Sequence, residues 1–172
     1  MAVASNKPIE ITQPNVVVVE GREEELFFGS MINYLKLKNV QVVELGGKTN
    51  FRARLKALSS VFRERVVSLT VVRDADTNPR SAFQSIQDAL KAASLPVPER
   101  PLVPIGENPM VAAIILPSEG TPGMLEDLCL TAVAQEPTMQ CVEQYFECLQ
   151  EKKLTLPKNM SKAKVQAFLA SR

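Results

Sequence analysis

The stretch Val16-Val17-Val18-Val19-Glu20-Gly21 decides the fold that the sequence predicts. Four consecutive β-branched residues form a short, continuously apolar run, which is typical of a strand buried on both faces of a parallel sheet. The Glu-Gly pair ends this strand, and apolar residues at helical spacing follow directly. Similar apolar runs recur along the chain with helical segments between them. Because parallel strands need crossover connections, this alternation predicts an α/β fold with a parallel sheet.

The spacing of apolar residues and of turn residues predicts four strands and six helices. The predicted strands cover Val16–Val19, Val40–Leu45, Val66–Val72 and Val111–Leu116. The predicted helices cover Arg22–Lys38, Asn50–Glu64, Ser81–Ala93, Met124–Ala134, Thr138–Lys152 and Ser161–Ala170. We expect a frayed lead-in over residues 1–14, one α/β domain over residues 15–135, and C-terminal helices over residues 136–172 that pack on the same domain.

The composition restricts the chemistry that is available to this chain. Histidine is absent, which excludes histidine-based triads and histidine zinc sites. The net charge is +1, so no global field indicates a nucleic-acid partner. The three cysteines form no C-x-x-C pair, and no apolar run approaches the roughly 20 residues of a membrane span. We therefore expect a cytoplasmic protein with reduced thiols, whose chemistry depends on carboxylates, lysines or a metal.

Carboxylates follow two of the predicted strands. Glu20 ends the first strand, and Asp74 and Asp76 follow the third. Ligand sites in parallel α/β sheets lie at the carboxyl ends of the strands, so we expect these three side chains to meet at one edge. Hard oxygen ligands of this kind suit Mg²⁺ or Mn²⁺, with waters and a substrate phosphate completing the coordination.

The segments VVVVEGREEE (residues 16–25) and LTVVRDAD (residues 69–76) together resemble the signature of the Toprim superfamily. That signature is a strand ending in Glu-Gly and a later strand ending in Asp-x-Asp. With ELGGKTN (residues 44–50) and PGMLEDLCL (residues 122–130), the chain is most similar to a small uncharacterised bacterial Toprim-like family related to overcoming-lysogenization-defect nucleases. The resemblance implies a Toprim-like, Rossmann-like parallel sheet of about four strands flanked by helices, with extra C-terminal helices.

The resemblance also implies roles for individual residues. Glu20 matches a glutamate that acts as a metal ligand or general base, and Asp74 and Asp76 match the metal-binding aspartates. Glu24 matches a ligand of a second metal, and either Glu126 or Asp127 resembles a further acidic ligand of the related nucleases. The loop after Asp76 departs from the pattern, because Asn78 and Pro79 stand where many Toprim proteins have a glycine.

Plainer interpretations exist for the same residues. Glu20, Asp74 and Asp76 are also typical of loop carboxylates that cap helices, and acidic residues in a first helical turn, such as Glu24, complement the helix dipole. Lys48 either steadies a substrate phosphate or is an ordinary lysine in a surface turn. The sequence by itself leaves these alternatives open.

The resemblance implies a hydrolase, namely a Mg²⁺- or Mn²⁺-dependent nuclease acting on phosphodiesters, with nucleic acid as its partner. A different class is also open: a Toprim scaffold that binds nucleic acid or a protein partner without catalysis, in a defence or repair assembly. GGKT (residues 46–49) lacks the first glycine of a Walker A motif, because Val42 stands in its place. An ATPase partner of the kind used by the related nucleases would therefore be a separate protein. Tyr34 and Tyr145 fall inside predicted helices, which disfavours a topoisomerase.

Overall fold

The computed structural model describes residues 9–172 and contains, within that range, four strands and seven helices. In chain order the elements are β1 (Asn15–Val19), α1 (Arg22–Tyr34), β2 (Val40–Glu44), α2 (Lys48–Ala57), α3 (Ser59–Arg65), β3 (Ser68–Asp74), α4 (Pro79–Ala92), β4 (Met110–Leu116), α5 (Leu125–Val133), α6 (Pro137–Glu151) and α7 (Met160–Ala170). The α/β class and the parallel four-stranded sheet that the sequence predicts are confirmed.

The strands lie in the order β2-β1-β3-β4, and every neighbouring pair is parallel. The chain therefore moves from β1 to one side and then returns past β1 to form β3 on the other side. Because such crossovers are right-handed, this reversal places α1 on one face of the sheet and α2, α3 and α4 on the other. The carboxyl ends of β1 and β3 lie on either side of the reversal, where open α/β sheets form a ligand crevice.

The main core lies between the sheet and the helices α2, α3 and α4. Val18 of β1 and Val71 of β3 are fully buried there. They belong to the same cluster as Phe51 of α2, Phe62 of α3 and Ile86 of α4, which are also almost completely buried. This packing holds α2, α3 and α4 against one face of the sheet.

Helix α1 ends earlier than the sequence predicts. Lys36 adopts a left-handed conformation with φ of 55°. The backbone N–H groups of Lys36 and Leu37 donate to the carbonyls of Asn33 and Ile32, at 3.1 and 3.0 Å. This is the hydrogen-bond pattern of a Schellman cap, in which glycine is the usual residue at the left-handed position. The predicted end at Lys38 was wrong because no glycine marks the stop.

The segment predicted as one helix over Asn50–Glu64 forms two helices instead, interrupted at Leu58. Both bury their apolar residues in the same core, so the interruption preserves the predicted apolar face. Strand β3 lies two residues further along than predicted, because Arg73 and Asp74 still pair in register with Ile115 and Leu116 of β4. The end of β3 is therefore set by its pairing with β4 and not by the end of the apolar run at Val72.

The predicted frayed lead-in lies partly outside the described residues, which begin at residue 9. Within the described part, the prediction is wrong. Ile11 is buried in the main core. The side-chain amide of Gln41 in β2 donates to the carbonyl of Glu10 at 2.7 Å and accepts from the backbone N–H of Thr12 at 2.8 Å. Residues 10–12 are therefore attached to the sheet.

The contacts divide the chain into two compact units, Met1–Pro122 and Gly123–Arg172. The first contains the sheet and α1 to α4, and the second contains α5, α6 and α7 around a small core of Met139, Val142, Phe146 and Phe168. The division falls earlier than the expected boundary after residue 135, so α5 belongs with the C-terminal helices. Within residues 9–172, none of the helices combines the length and the apolar character that crossing a bilayer requires.

Candidate functional site

The carboxyl edge of the sheet carries the residues that the sequence predicts as a site. We call Glu20, Asp74 and Asp76 the acidic rim. Glu20 directly follows β1, Asp74 is the last residue of β3, and Asp76 lies two residues beyond it. Since β1 and β3 are adjacent parallel strands, the fold brings these segments to the same edge, at the reversal of strand order.

Glu20 is held by Arg73 of the neighbouring strand. Nε of Arg73 donates to Oε2 of Glu20 at 3.0 Å, and Nη2 of the same guanidinium forms an ion pair with that oxygen at 2.9 Å. The pair is well shielded, since the Arg73 and Glu20 side chains retain only 10% and 13% of their exposure. The sequence places Arg73 beside the aspartates and leaves its partner open, whereas the register of β1 and β3 sets it next to Glu20.

Arg73 is itself fixed by two helices. Its Nη1 donates to Oγ of Ser85 in α4 at 2.7 Å, and its guanidinium lies over the Phe51 ring of α2, 5.2 Å from the ring centre. The guanidinium is thus restrained by a carboxylate, a hydroxyl and an aromatic face. The sequence analysis gave no role to Ser85 or Phe51, because nothing in the local pattern links them to Glu20.

The turn between β2 and α2 places Lys48 at the rim. Gly46 and Gly47 both have positive φ, and the N–H of Gly47 donates to the carbonyl of Glu20 at 2.7 Å. Lys48 then begins α2, and its ammonium forms a hydrogen-bonded ion pair with Asp76. Asp76 has a left-handed backbone with φ of 50°, a conformation that aspartate tolerates better than most residues.

The charges at the rim influence one another. The hydrogen bond to Asp76 raises the pKa of Lys48, and the negative charges of Asp76 and Glu20 add to the rise. Partial burial and the positive charge of Arg73 oppose it. Two carboxylates thus act on one ammonium group. Positive and negative side chains alternate beside the acidic rim, in the order Arg73, Glu20, Lys48 and Asp76.

Glu24 lies close to Glu20, one turn along α1. Burial raises the pKa of the Glu24 carboxyl, and the charges of Glu20 and Glu23 raise it further, against hydrogen bonds from the backbone of Glu24 and Gly21. Oε2 of Glu24 lies 3.0 Å from the position that a Cβ at residue 21 would occupy. The side chain therefore folds back over the start of α1, where a glycine leaves room for it.

Asp74 faces a different direction from Glu20. Side chains alternate along a strand, so Asp74 projects from the face of β3 opposite to that of Arg73, which pairs with Glu20. Its side chain is half-buried and has an interaction partner. In residues 9–172, no group of three or more carboxylates or thiols is arranged so that it could hold a metal ion.

The donor chemistry of the rim nevertheless fits a hard divalent cation. Mg²⁺ is usually bound through one or two carboxylates, with waters and substrate phosphates completing its octahedral shell. Glu20 and Asp76, which both act on the Lys48 ammonium, provide two such carboxylates around a position that already attracts a cation. The residues fit an open site of this type rather than a closed cage of three protein ligands.

Glu126 and Asp127 lie in the second unit, in the first turn of α5. Asp127 has a structural role there: Oδ2 accepts from the backbone N–H of Met124 at 2.8 Å, and Oδ1 accepts from the hydroxyl of Ser161 at 2.6 Å. Burial raises the pKa of the Cys129 thiol one turn later, and the Glu126 charge raises it further. The ligand roles of Glu126 and Asp127 stay predictions.

Fold and rim together define a Rossmann-like α/β protein with an ion-paired acidic site at the carboxyl edge of its sheet. The chain belongs to the family described as protein of unknown function DUF3226, whose profile matches residues 14–172. No curated protein and no solved structure matches the chain.

Proposed function

We propose that this protein hydrolyses phosphodiester bonds of nucleic acid with Mg²⁺ or Mn²⁺ bound at the acidic rim. The observation that carries the proposal is the position of Glu20, Asp74 and Asp76 at the carboxyl ends of two adjacent parallel strands, where the strand order reverses. Ligands of open α/β sheets bind at this place. The resemblance to Toprim nucleases supports the same chemistry.

Each rim residue has a task in this proposal. Glu20 and Asp76 would hold the metal, and the ligand role of Asp74, which projects from the opposite face of β3, stays a prediction. Arg73 orients Glu20 through a hydrogen bond from Nε and an ion pair from Nη2 to the same oxygen. When bound, the cation would stabilise charge on the phosphate and lower the pKa of a water.

Lys48 would contact the substrate phosphate. Lys48 is the first residue of α2, and its side chain is 54% exposed. Its ammonium can therefore reach a phosphate oxygen from its position beside Asp76. Neutralising one phosphate oxygen would favour attack at phosphorus by reducing charge repulsion. Glu24, beside Glu20, is the further carboxylate for a second metal.

The pairing of rim carboxylates with protein cations favours a second candidate function. Arg73 and Lys48 already compensate Glu20 and Asp76, so these two carboxylates are paired with cations without a metal. A protein of this kind could bind nucleic acid or a protein partner, including a separate ATPase, without cleaving a bond.

Asp76→Asn tests the proposal, because it keeps the side-chain shape and removes a charge. Plasmid DNA and single-stranded RNA are incubated with each protein in Mg²⁺, in Mn²⁺ and in EDTA. We expect wild-type cleavage that EDTA abolishes and that Asp76→Asn lowers by about 100-fold or more. Asp88→Asn is the matched control, since Asp88 is exposed on α4 and accepts a hydrogen bond from Gln84.

Calorimetry with the metal alone separates the two candidate functions. No metal binding and no cleavage by the wild-type protein would refute hydrolysis at the rim. Tight binding of nucleic acid without cleavage in either metal would identify the non-catalytic scaffold.

A further inference from the structure

A cleft adjoins the acidic rim on the same edge of the sheet. Its volume is about 380 Å³, and it lies between the start of α4, the proline-rich loop before β4 and the turn after β4. The lining residues are Asn78, Pro79, Arg80, Phe83, Pro101, Ile115, Glu119 and Gly120. The volume falls within the roughly 300–1,000 Å³ that is usual for ligand sites.

Two residues of the cleft lining, Asn78 and Ile115, are neighbours of residues at the rim. Asn78 lies in the same turn as Asp76, two residues further along. Ile115 pairs in register with Arg73, the arginine that holds Glu20. A ligand that reaches both sites would have a phosphate at the rim and a neighbouring chemical group in the cleft.

The lining offers apolar surfaces for a flat aromatic group, and it carries one cationic and one anionic side chain, Arg80 and Glu119. Phe83, Pro79 and Pro101 supply a ring and two flat, rigid apolar surfaces. Arg80 is exposed at the cleft and forms no ion pair with any residue of the range 9–172. Asn78 uses its carbonyl oxygen to accept from the N–H of Ser81, and its amide NH₂ group takes no part in that bond.

We propose that the cleft binds one unpaired nucleobase of a single strand whose phosphate lies at the rim. This inference rests on the proposed function and names its substrate class. A base enters such a cleft only after leaving the stack of a duplex, which costs free energy, so a single strand is preferred. Phe83 stacks on the base, as aromatic side chains do in proteins that bind single strands, and Arg80 contacts a flanking phosphate.

Binding of fluorescein-labelled oligonucleotides, followed by anisotropy in EDTA, tests the cleft without requiring cleavage. The probes are an oligothymidylate of about twelve nucleotides, its duplex, and the same strand without bases. We expect the single strand to bind about tenfold more tightly than either of the other probes. In Phe83→Leu, which keeps an apolar side chain in the core, this advantage should be lost.

Arg80→Ala should weaken binding of the strand and of its base-free form equally, because it removes a phosphate contact. Arg100→Ala is its matched control, an exposed arginine outside the cleft lining. Circular dichroism checks that each variant is folded, and Pro101→Ala repeats the test if Phe83→Leu unfolds.

Equal affinity of the wild-type protein for the strand with and without bases would overturn the cleft proposal, even if the rim cleaves nucleic acid. So would unchanged selectivity in both Phe83→Leu and Pro101→Ala. Absence of any oligonucleotide binding and of any metal-dependent cleavage would instead refute the proposed function itself.

Discussion

Arg73 joins two strands and two helices at the point where the chemistry is proposed. It pairs with Glu20 directly after β1, donates to Ser85 on α4 and lies over Phe51 on α2. A shielded charge without its partner is costly, so either member of the Arg73–Glu20 pair depends on the other. The position of Glu20, and with it the shape of the rim, is therefore controlled by a residue outside the acidic motif.

Arg73→Met should lower the free energy of unfolding by about 3 kcal/mol, because it leaves the shielded Glu20 carboxylate unpaired. The double variant Glu20→Gln/Arg73→Met should lose less, since it removes both charges. Urea denaturation followed by circular dichroism in EDTA measures both. Arg172→Met is the control, because the exposed Arg172–Glu136 pair is worth at most about 1 kcal/mol. Equal losses in the single and double variants would contradict this account.

At the scale of the elements, the helix boundary that differs most from the sequence prediction is the end of α1, at Tyr34 instead of Lys38. Three helices end in Schellman caps whose left-handed residues are Lys36, Ser94 and Lys153 rather than glycine. Asn78 and Asn159 cap the starts of α4 and α7 with their side chains, as asparagine commonly does, and α4 begins at Pro79, two residues before the predicted start at Ser81. In the first turn of α1, burial and the charges of Glu20 and Glu23 disfavour the ionised form of the Glu24 carboxyl and raise its pKa.

Glu24→Gln should stabilise the metal-free protein at pH 7 and lose this advantage at low pH. The folded state raises the pKa of Glu24, so ionisation of this carboxyl costs stability. That cost is absent below the unfolded pKa of about 4.3 and is fully present above the folded pKa. Glutamine keeps the side-chain carbonyl that can accept from the backbone and removes the charge.

Thermal unfolding in EDTA from about pH 4 to pH 7 measures the difference between Glu24→Gln and the wild-type protein. Glu99→Gln, an exposed loop carboxylate, serves as the control. An advantage that is equal at both ends of the range would contradict the assignment to burial and charge repulsion.

At the scale of the whole molecule, the order of the strands creates the site. The return of the chain past β1 to form β3 brings Arg73 and Asp76 to the same edge as Glu20, which is far from them in sequence. The second unit is small, and its few buried side chains make its polar contacts important for its stability. Asp127 is the clearest of these contacts, because it joins the start of α5 to Ser161 of α7.

Asp127→Ala should destabilise the second unit by about 2 kcal/mol, because it removes two hydrogen bonds to a carboxylate. Ser161→Ala should have a smaller effect in the same direction, and Glu126→Gln serves as the control. Hydrogen exchange in residues 123–172, measured in EDTA, reports the change in local stability. If Asp127→Ala leaves exchange in α5 and α7 unchanged, Asp127 has no structural role and its predicted role as a ligand gains support.

The sequence predicted the elements well and their contacts only in part. Apolar periodicity identified all four strands, and the Glu-Gly and Asp-x-Asp motifs located the acidic rim. The pairing of Glu20 with Arg73 and of Asp76 with Lys48 was beyond reach, because each pair is formed by strand order and register. The cleft beside Phe83 was equally hidden, since its lining comes from three separate parts of the chain.

By itself the sequence determined that this chain forms a parallel α/β sheet with carboxylates after β1 and β3, because burial and backbone preference act over a few residues at a time. Only the tertiary structure decided which cation compensates each carboxylate, which face Asp74 occupies and where a cleft opens. Those features depend on distances between segments that are far apart in the chain, and local sequence patterns do not determine such distances.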